Sequence, residues 1–190
     1  MLERFINYKK VIPEEYKDSI YDIDYKALYE SGKRIVFFDL DNTLISYKEE
    51  HATDEIKAFV RSLEEIGYEV MIVSNSRKKR VKVVADELNV KFSSLALKPT
   101  KIGFKRALRK ASRKYSKEEI LEVGDQLLTD VYGSRRCGFY TILVRAIDHK
   151  TERKITRINR NRERKILARI KERDIAAYIE KLQKYESENL

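Results

Sequence analysis

The chain has 190 residues, of which 42% are apolar, 38% are charged and one is a cysteine, and its formal net charge is +10. This length and apolar content allow one domain with a packed core and exclude disorder throughout, while a single cysteine excludes an internal disulfide framework and a cysteine-rich zinc site. No run of about 18 apolar residues occurs, and polar residues interrupt the N-terminus early. We therefore expect a cytoplasmic protein without a membrane-spanning helix or a secretory segment.

Strands and helices are predicted to alternate along most of the chain. Four short apolar runs, rich in β-branched and aromatic residues, are typical of buried strands. These runs are 34–39, 70–73, 120–123 and 140–144. Helical spacing of apolar residues predicts helices over 56–66, 81–88, a segment that begins near 102, and 129–137. This alternation predicts an α/β fold in which a parallel sheet is sandwiched by helices.

Polar side chains follow three of the predicted strands. Asp39 and Asp41 follow the first strand, Ser74 follows the second, and Asp125 follows the third. Lys98 precedes a proline, and a further aspartate, at position 130, lies five residues after Asp125. Because ligands of parallel sheets bind beyond the carboxyl ends of the strands, we expect these side chains to converge on one crevice.

The chemistry of phosphoryl transfer needs these residue types. Neighbouring aspartates repel one another, and a hard Mg²⁺ ion, which prefers oxygen ligands, relieves that repulsion. One carboxylate can attack phosphorus to form an aspartyl-phosphate, and a second can move a proton to the leaving group. A hydroxyl and a lysine can hold and neutralise the phosphoryl oxygens.

The ordered set of motifs resembles the haloacid dehalogenase (HAD) phosphatase superfamily. It consists of Asp39-Leu-Asp41-Asn-Thr-Leu, Ser74, Lys98, and Gly124-Asp125 with Asp130. The resemblance implies a HAD-like (Rossmann-like) fold and a Mg²⁺ cofactor. It implies that Asp39 is the nucleophile, that Asp41 is the general acid/base, and that Ser74 and Lys98 bind and neutralise the phosphoryl group. It also implies Mg²⁺ ligands from Asp39, Asp125 and the backbone carbonyl of Asp41, with Asp130 in support.

A closer resemblance is to the YqeG-type class IIIA HAD proteins, whose mitochondrial relatives are phosphatidylglycerophosphate phosphatases. It is carried by the motif set together with Lys98-Pro99 and the segment 123–133. Ser76 and Arg135 depart from residues common in that family, and neither is a catalytic position. The resemblance implies dephosphorylation of phosphatidylglycerophosphate to phosphatidylglycerol. The candidate substrate-binding residues are Thr43, Asn75, Arg77 and Arg80.

The spacing of the motifs bears on the size of the substrate. Thirty-three positions separate Asp41 from Ser74, and 24 separate Ser74 from Lys98. The predicted strands, helices and turns occupy these intervals, so neither can hold a cap domain. An open crevice fits a large or immobilised substrate, such as a lipid headgroup, a phosphoprotein or a nucleic-acid end.

The positive charge is concentrated near the C-terminus. Residues 145–173 hold twelve basic and four acidic side chains, which divides the chain into a phosphatase domain (1–147) and a basic helical extension (148–190). Apolar residues are interspersed in that extension, namely Ile155, Ile158, Ile166, Leu167, Ile170, Ile175, Ile179 and Leu182. Basic amphipathic helices can lie on anionic membranes, so we expect an anionic phospholipid substrate and peripheral contact with the inner membrane face.

Two alternatives remain open from the sequence. One is a capless HAD phosphatase that acts on a nucleic-acid end or a soluble sugar phosphate. The other is a nucleic-acid-binding or ribosome-binding protein with a vestigial site, for which the basic extension is the motivation. The sequence leaves the oligomeric state undetermined.

Overall fold

Six parallel strands form one sheet in the computed structural model, which describes residues 6–190. The strands are β1 (Glu15–Lys17), β2 (Ile35–Phe38), β3 (Glu69–Val73), β4 (Lys91–Ser93), β5 (Ile120–Gly124) and β6 (Tyr140–Val144). Their order in the sheet is β1-β6-β5-β2-β3-β4, and every neighbouring pair is parallel. The chain leaves β2 towards β3 and later returns to β5 on the other side. The strand order therefore reverses beside β2, which is where parallel sheets open a ligand crevice.

Helices cover the sheet and extend beyond it. They are α1 (Tyr25–Glu30), α2 (Asp54–Ile66), α3 (Lys78–Leu88), α4 (Ile102–Lys110), α5 (Tyr132–Arg135), α6 (Lys154–Arg173), α7 (Ile175–Lys181) and α8 (Gln183–Asn189). A π-helical turn (Leu127–Val131) leads into α5. Across residues 6–190, no helix has both the length and the apolar character needed to cross a membrane.

Local sequence signals account for the bounds of the principal body helices. The Thr53 hydroxyl accepts a hydrogen bond from the amide of Ile56 and so caps the start of α2. Gly67 ends that helix in the left-handed region at φ 113°, and Asn89 ends α3 in the same region at φ 54°. Glycine and asparagine are the residues that most readily adopt this conformation.

The two faces of the sheet are buried against different helices, as the sequence predicted. Val36 and Phe38 of β2 share one apolar cluster with residues of α2 and α3. Ile35 and Phe37 point to the opposite face and share a cluster with Phe104 of α4. Alternation along a strand places neighbouring side chains on opposite faces, so a continuous apolar run is what a sheet covered on both sides requires. The predicted sandwich fold is confirmed.

Strands β1 and β4 were not predicted. Each has three residues and lies at an edge of the sheet. Glu15 and Lys17 of β1 pair with one another as charges, which gives this strand no apolar pattern. A segment this short shows less than two full periods of alternation, so a periodicity argument does not detect it.

The C-terminal extension packs on the domain. Buried residues of α6, α7 and α8 form a cluster with Val11, Leu127, Val131 and Leu143 of the body. From the extension, this cluster contains Ile166, Leu167, Ile170, Tyr178, Leu182 and Tyr185. The far end is also attached, because the amide of Ala146 donates to Asn189 at 3.0 Å. Four of the eight predicted membrane-facing residues are thus buried in this core, whereas Ile155, Ile158, Ile175 and Ile179 are exposed.

The predicted boundary at residue 147 falls between β6 and α6. Residues 1–5 of the predicted domain lie outside the described part of the chain.

Candidate active site

The loop after β2 carries the first two aspartates. Its course is set by Leu40, whose carbonyl accepts hydrogen bonds from the amides of Leu44 and Ile45 at 3.1 Å each. Asn42 lies in the left-handed region at φ 66°, which asparagine tolerates better than most residues. This tight turn leaves Asp39 and Asp41 nearly buried at the floor of the crevice.

Lys98 lies at the centre of a cluster of carboxylates. Its Nζ is 2.7 Å from Oδ1 of Asp39, 2.6 Å from Oδ1 of Asp130 and 3.8 Å from Oε1 of Glu122. Burial raises the pKa of Asp39 to about 7, although the Lys98 charge opposes this shift. Burial alone would lower the pKa of Lys98, but Asp130 and Asp39 raise it, so the ammonium stays charged. Lys98 therefore offsets part of the cost of keeping Asp39 ionised.

Glu122 was not predicted as part of the site. It lies within β5 and is fully buried, and both of its carboxylate oxygens lack a hydrogen-bond partner. Burial raises its pKa well above the usual range. The signal in the sequence was a single glutamate inside an apolar strand, which is unusual because an unpaired buried charge is costly.

Asp130 is brought to Lys98 by a close approach to Gly124. A Cβ atom on Gly124 would lie 2.5 Å from the carboxyl carbon of Asp130, so no larger residue fits there. The amide of Gln126 donates to Oδ2 of Asp130 at 3.0 Å, which leaves Oδ1 directed at Lys98. Gly124 and the Gln126 amide thus orient Asp130, the predicted supporting aspartate.

The segment after β3 holds the lysine in place. Asn75 donates through Nδ2 to the carbonyl of Lys98 at 3.1 Å and accepts from its amide at 2.8 Å. The structure thus places this predicted substrate-binding residue on the Lys98 backbone. The Ser74 hydroxyl accepts from the amide of Ser76 at 3.1 Å and lines the crevice. Thr43 is buried, and its hydroxyl has no hydrogen-bond partner.

Arg80 of α3 is bound to the predicted general acid/base. Its Nε donates to Oδ1 of Asp41 at 2.6 Å, and the Ser76 hydroxyl donates to the other carboxylate oxygen. The terminal nitrogens of Arg80 donate to the carbonyls of Ser46 and Glu49 at 3.0 and 2.9 Å. The structure therefore places this predicted substrate-binding residue where it orients Asp41. Arg77, the other predicted binding arginine, lines an adjacent depression.

Asp125 is bound to a residue that the sequence analysis did not identify, Arg160 of α6. One Arg160 nitrogen lies 2.5 Å from Oδ2 of Asp125, and the other donates to the Asp125 carbonyl at 2.8 Å. Glu152 at 2.9 Å, Glu163 at 3.5 Å and the Tyr185 hydroxyl at 2.6 Å complete the surroundings of Arg160. A buried charge needs such partners.

The signal in the sequence for Arg160 was its position on one helical face. Arg160, Glu163 and Leu167 follow at intervals of three and four, so they share the buried face of α6.

The arrangement of oxygens at Asp125 fits a hard divalent cation. Its Oδ1 is buried and has no hydrogen-bond partner, whereas Oδ2 is held by Arg160. Within residues 6–190, no three His, Cys, Asp or Glu side chains converge on one metal position. By the family resemblance, the residues that would hold Mg²⁺ are two carboxylates, Asp39 and Asp125, and the carbonyl of Asp41. Oxygen donors of this kind are those that Mg²⁺ prefers.

Comparison with known proteins identifies the chain. Residues 1–147 match the model of the family described as mitochondrial PGP phosphatase. The chain belongs to this family. It is also 37% identical over 171 residues to “Probable phosphatase YqeG” of Bacillus subtilis (strain 168), an alignment that covers 90% of this chain and 95% of that protein. The predicted family is confirmed, and the chain is a HAD-type phosphatase.

Solved structures resemble this phosphatase more distantly. An uncharacterized protein from Listeria monocytogenes serotype 4b has a TM-score of 0.49 at 16% identity, with 63% of this chain and 85% of that chain covered. The “putative HAD-hydrolase YfnB” of Bacillus subtilis, solved “bound to magnesium”, has a TM-score of 0.45 at 14% identity, with 58% and 86% covered. At these scores the neighbours do not decide the fold, which the observed sheet defines.

The crevice at the candidate active site is small and partly covered by the extension. Its volume is about 180 Å³. The first turns of α6 contribute Ile155, Thr156 and Asn159 to its wall, and Arg153, which precedes the helix, contributes as well. The Tyr47 hydroxyl lies 3.1 Å from that of Thr156, and the Arg153 guanidinium lies over the Tyr47 ring. The predicted basic helical extension therefore forms one side of the candidate site.

Proposed function

We propose that this phosphatase is a Mg²⁺-dependent phosphomonoesterase that dephosphorylates phosphatidylglycerophosphate to phosphatidylglycerol through an aspartyl-phosphate. The observation that carries the chemistry is the buried Lys98, which contacts Asp39 and Asp130 at the floor of the crevice. The substrate is supported by membership of the family described as mitochondrial PGP phosphatase.

The residues of this chain divide the reaction into two steps. In the first, a carboxylate oxygen of Asp39 forms a bond to phosphorus while the ester P–O bond breaks, and Asp41 gives a proton to the leaving alkoxide. In the second, Asp41 takes a proton from water, which attacks phosphorus and releases Asp39 and phosphate. Lys98 neutralises the phosphoryl oxygens throughout, and Ser74 donates a hydrogen bond to them.

Mg²⁺ would be held by Asp39, Asp125 and the carbonyl of Asp41. When bound, it supplies positive charge that stabilises the phosphoryl group in the transition state. The unpartnered Oδ1 of Asp125 supports this assignment.

Peripheral contact with the inner face of a membrane belongs to the same proposal. The exposed isoleucines of the extension, including Ile155 at the crevice wall, support it because they lie among basic side chains. An anionic lipid surface attracts each such cation by about 1 kcal/mol.

The test is Mg²⁺-dependent phosphate release from phosphatidylglycerophosphate in mixed micelles. Wild-type protein should release phosphate, and Asp39→Asn should not, because an amide does not attack phosphorus. An aryl phosphate ester serves as the control substrate. Hydrolysis of the aryl ester without hydrolysis of the lipid would retain the phosphatase chemistry and exclude this substrate. RNA binding with a steep salt dependence and no ester turnover would instead indicate the nucleic-acid-binding alternative.

A further inference from the structure

An apolar groove of about 480 Å³ continues from the catalytic crevice. Residues that line both spaces join them, namely Asn75, Lys98, Thr129, Ile155 and Asn159. Beyond this junction the groove is lined by Pro99, Leu128 and Tyr132. The crevice is too small for more than the phosphoryl end of a lipid. The remainder of a bound lipid must therefore lie in a neighbouring space.

Two arginines contribute to the groove. Arg136 donates to the carbonyl of Pro99 at 3.4 Å, and its guanidinium lies 5.3 Å from the centre of the Tyr132 ring. Arg162 projects from α6 and lines the same groove. Guanidinium groups recognise phosphate oxygens through paired hydrogen bonds. The groove therefore combines cations for an anion with an apolar surface.

A second depression adjoins the crevice and offers a different exit. It is lined by Arg77, Lys79 and Arg80, but also by Glu50, and it shares Arg153 with the crevice. Glu50 would repel an anionic substrate, and the shared boundary is one residue compared with five for the groove. The observations favour the groove as the path of the leaving group.

We infer that this groove binds the leaving-group side of an anionic lipid, with Arg136 and Arg162 on its phosphodiester and the apolar lining on the first part of its acyl chains. The inference rests on the proposed function and deepens it, because it names the residues that distinguish a phosphatidyl substrate from a simple phosphomonoester. The groove offers both features that such a lipid presents beyond its phosphomonoester, cations for the phosphodiester and an apolar lining for the acyl chains.

A series of soluble substrates tests each part separately. Glycerol 3-phosphate has the scissile phosphomonoester, the deacylated headgroup adds the phosphodiester, and dihexanoyl phosphatidylglycerophosphate, kept below its micelle concentration, adds short acyl chains. We expect kcat/KM of the wild-type protein to rise at each addition. A terminally phosphorylated dithymidylate provides the nucleic-acid comparison, because it also has a phosphodiester next to its phosphomonoester.

The variants are placed at exposed positions so that the fold is retained. Arg136→Gln and Arg162→Gln should each reduce by about tenfold the rise in kcat/KM that the phosphodiester brings. Ile155→Ser should reduce the further rise from the acyl chains by about tenfold. Matched controls from the exposed surface of α6 are Arg164→Gln and Ile158→Ser, which lie outside the groove lining. Both should retain the increases in kcat/KM that the phosphodiester and the acyl chains bring. Thermal melts monitored by circular dichroism check the fold of every variant.

The outcomes separate this inference from the proposed function. If the wild-type protein shows no rise along the lipid series, or prefers the dithymidylate, both the lipid substrate and the groove assignment are overturned. If the wild-type protein shows the rise and the groove variants retain it, the proposed function stands and the groove assignment is wrong. A loss in Lys79→Gln that the groove variants do not show would place the leaving group in the other depression.

Discussion

The phosphatase domain and the C-terminal extension each provide an arginine that binds an aspartate of the candidate site. Arg80 of the domain binds the Asp41 side chain and two backbone carbonyls, and Arg160 of the extension binds the side chain and carbonyl of Asp125. The Arg80 side chain is 16% exposed and the Arg160 side chain 5% exposed. The residue that lies farther from the motifs in sequence is thus the more deeply buried of the two.

Through Arg160, the extension contacts the candidate site directly. Arg160 neutralises a group of carboxylates that would otherwise repel one another, Asp125, Glu152 and Glu163. Glu163 also accepts a hydrogen bond from the amide of Leu128 at 2.9 Å, which attaches α6 to the π-helical turn after β5. The predicted catalytic residues lie on the domain, but one of the predicted metal ligands is oriented by the extension.

Removal of residues 151–190 should have the largest effect on both the stability and the turnover of the domain. The deletion exposes Leu127 and Leu143 and removes Ile166, Leu167 and Tyr185 from the core they share. Each buried apolar side chain contributes about 2 kcal/mol, and total stabilities are about 5–15 kcal/mol. We expect loss of the cooperative melt measured by circular dichroism, with equal loss of turnover on lipid and on a soluble ester. A deletion variant that melts like the full chain, with a defect confined to bilayer lipid, would show that the extension is only an anchor.

Replacement of Arg160 by methionine should separate metal binding from simple packing. The change leaves three buried carboxylates without their shared cation, a loss for which about 3–5 kcal/mol of destabilisation is typical. Added Mg²⁺ should recover part of this stability in urea unfolding, because it also neutralises Asp125 and no longer competes with Arg160 for that carboxylate. For the same reason, the Mg²⁺ concentration needed for half-maximal turnover should fall. Arg164→Met, at an exposed position one turn further along α6, is the matched control and should change neither quantity. Equal destabilisation of Arg160→Met with and without Mg²⁺ would contradict a role at the metal site.

The convergence of the predicted site residues could be anticipated from the sequence because each follows a strand or lies in a distinctive motif. Asp39, Asp41 and Asp125 come at the carboxyl ends of apolar runs, and topology brings such ends together. Arg160 could not be identified in this way, since its partner Asp125 is 35 residues distant and it is one of several basic residues in the same helix. A charged run is usually a solvated face, and which of its members turns inward depends on the packing of the whole helix.

The positions of the two arginines that follow Ser74 could not be predicted from the sequence either. Arg77 and Arg80 belong to the same basic run, yet the structure places one at a surface depression and the other on Asp41. Three residues correspond to nearly one helical turn, but Arg77 precedes the first turn of α3 and has an extended backbone. The distinction depends on where the helix begins, and boundaries are the least reliable part of a prediction from pattern.

Replacement of Arg80 by lysine should have a smaller effect than the Arg160 change. Lysine keeps the positive charge near Asp41, but its ammonium lacks the planar fork that also reaches the carbonyls of Ser46 and Glu49. General acid/base catalysis contributes about 10²–10⁴-fold, so partial misorientation of Asp41 should lower kcat by about tenfold while KM changes little. Arg61→Lys, at an exposed position of α2, is the control. A change in KM alone would instead support substrate binding by Arg80.

The smallest expected effects come from removing one helix cap in the domain and one in the extension. The Thr53 hydroxyl caps α2 of the domain by accepting from Ile56, and the Asp174 carboxylate caps α7 of the extension by accepting from Ala177 at 3.1 Å. Loss of such a cap costs about 1 kcal/mol. If domain and extension unfold together, Thr53→Ala and Asp174→Ala should lower the free energy of global unfolding by similar amounts in urea. If Asp174→Ala leaves the main transition unchanged and creates an earlier one, the extension unfolds by itself, and its contribution to Asp125 would then be lost before the domain melts.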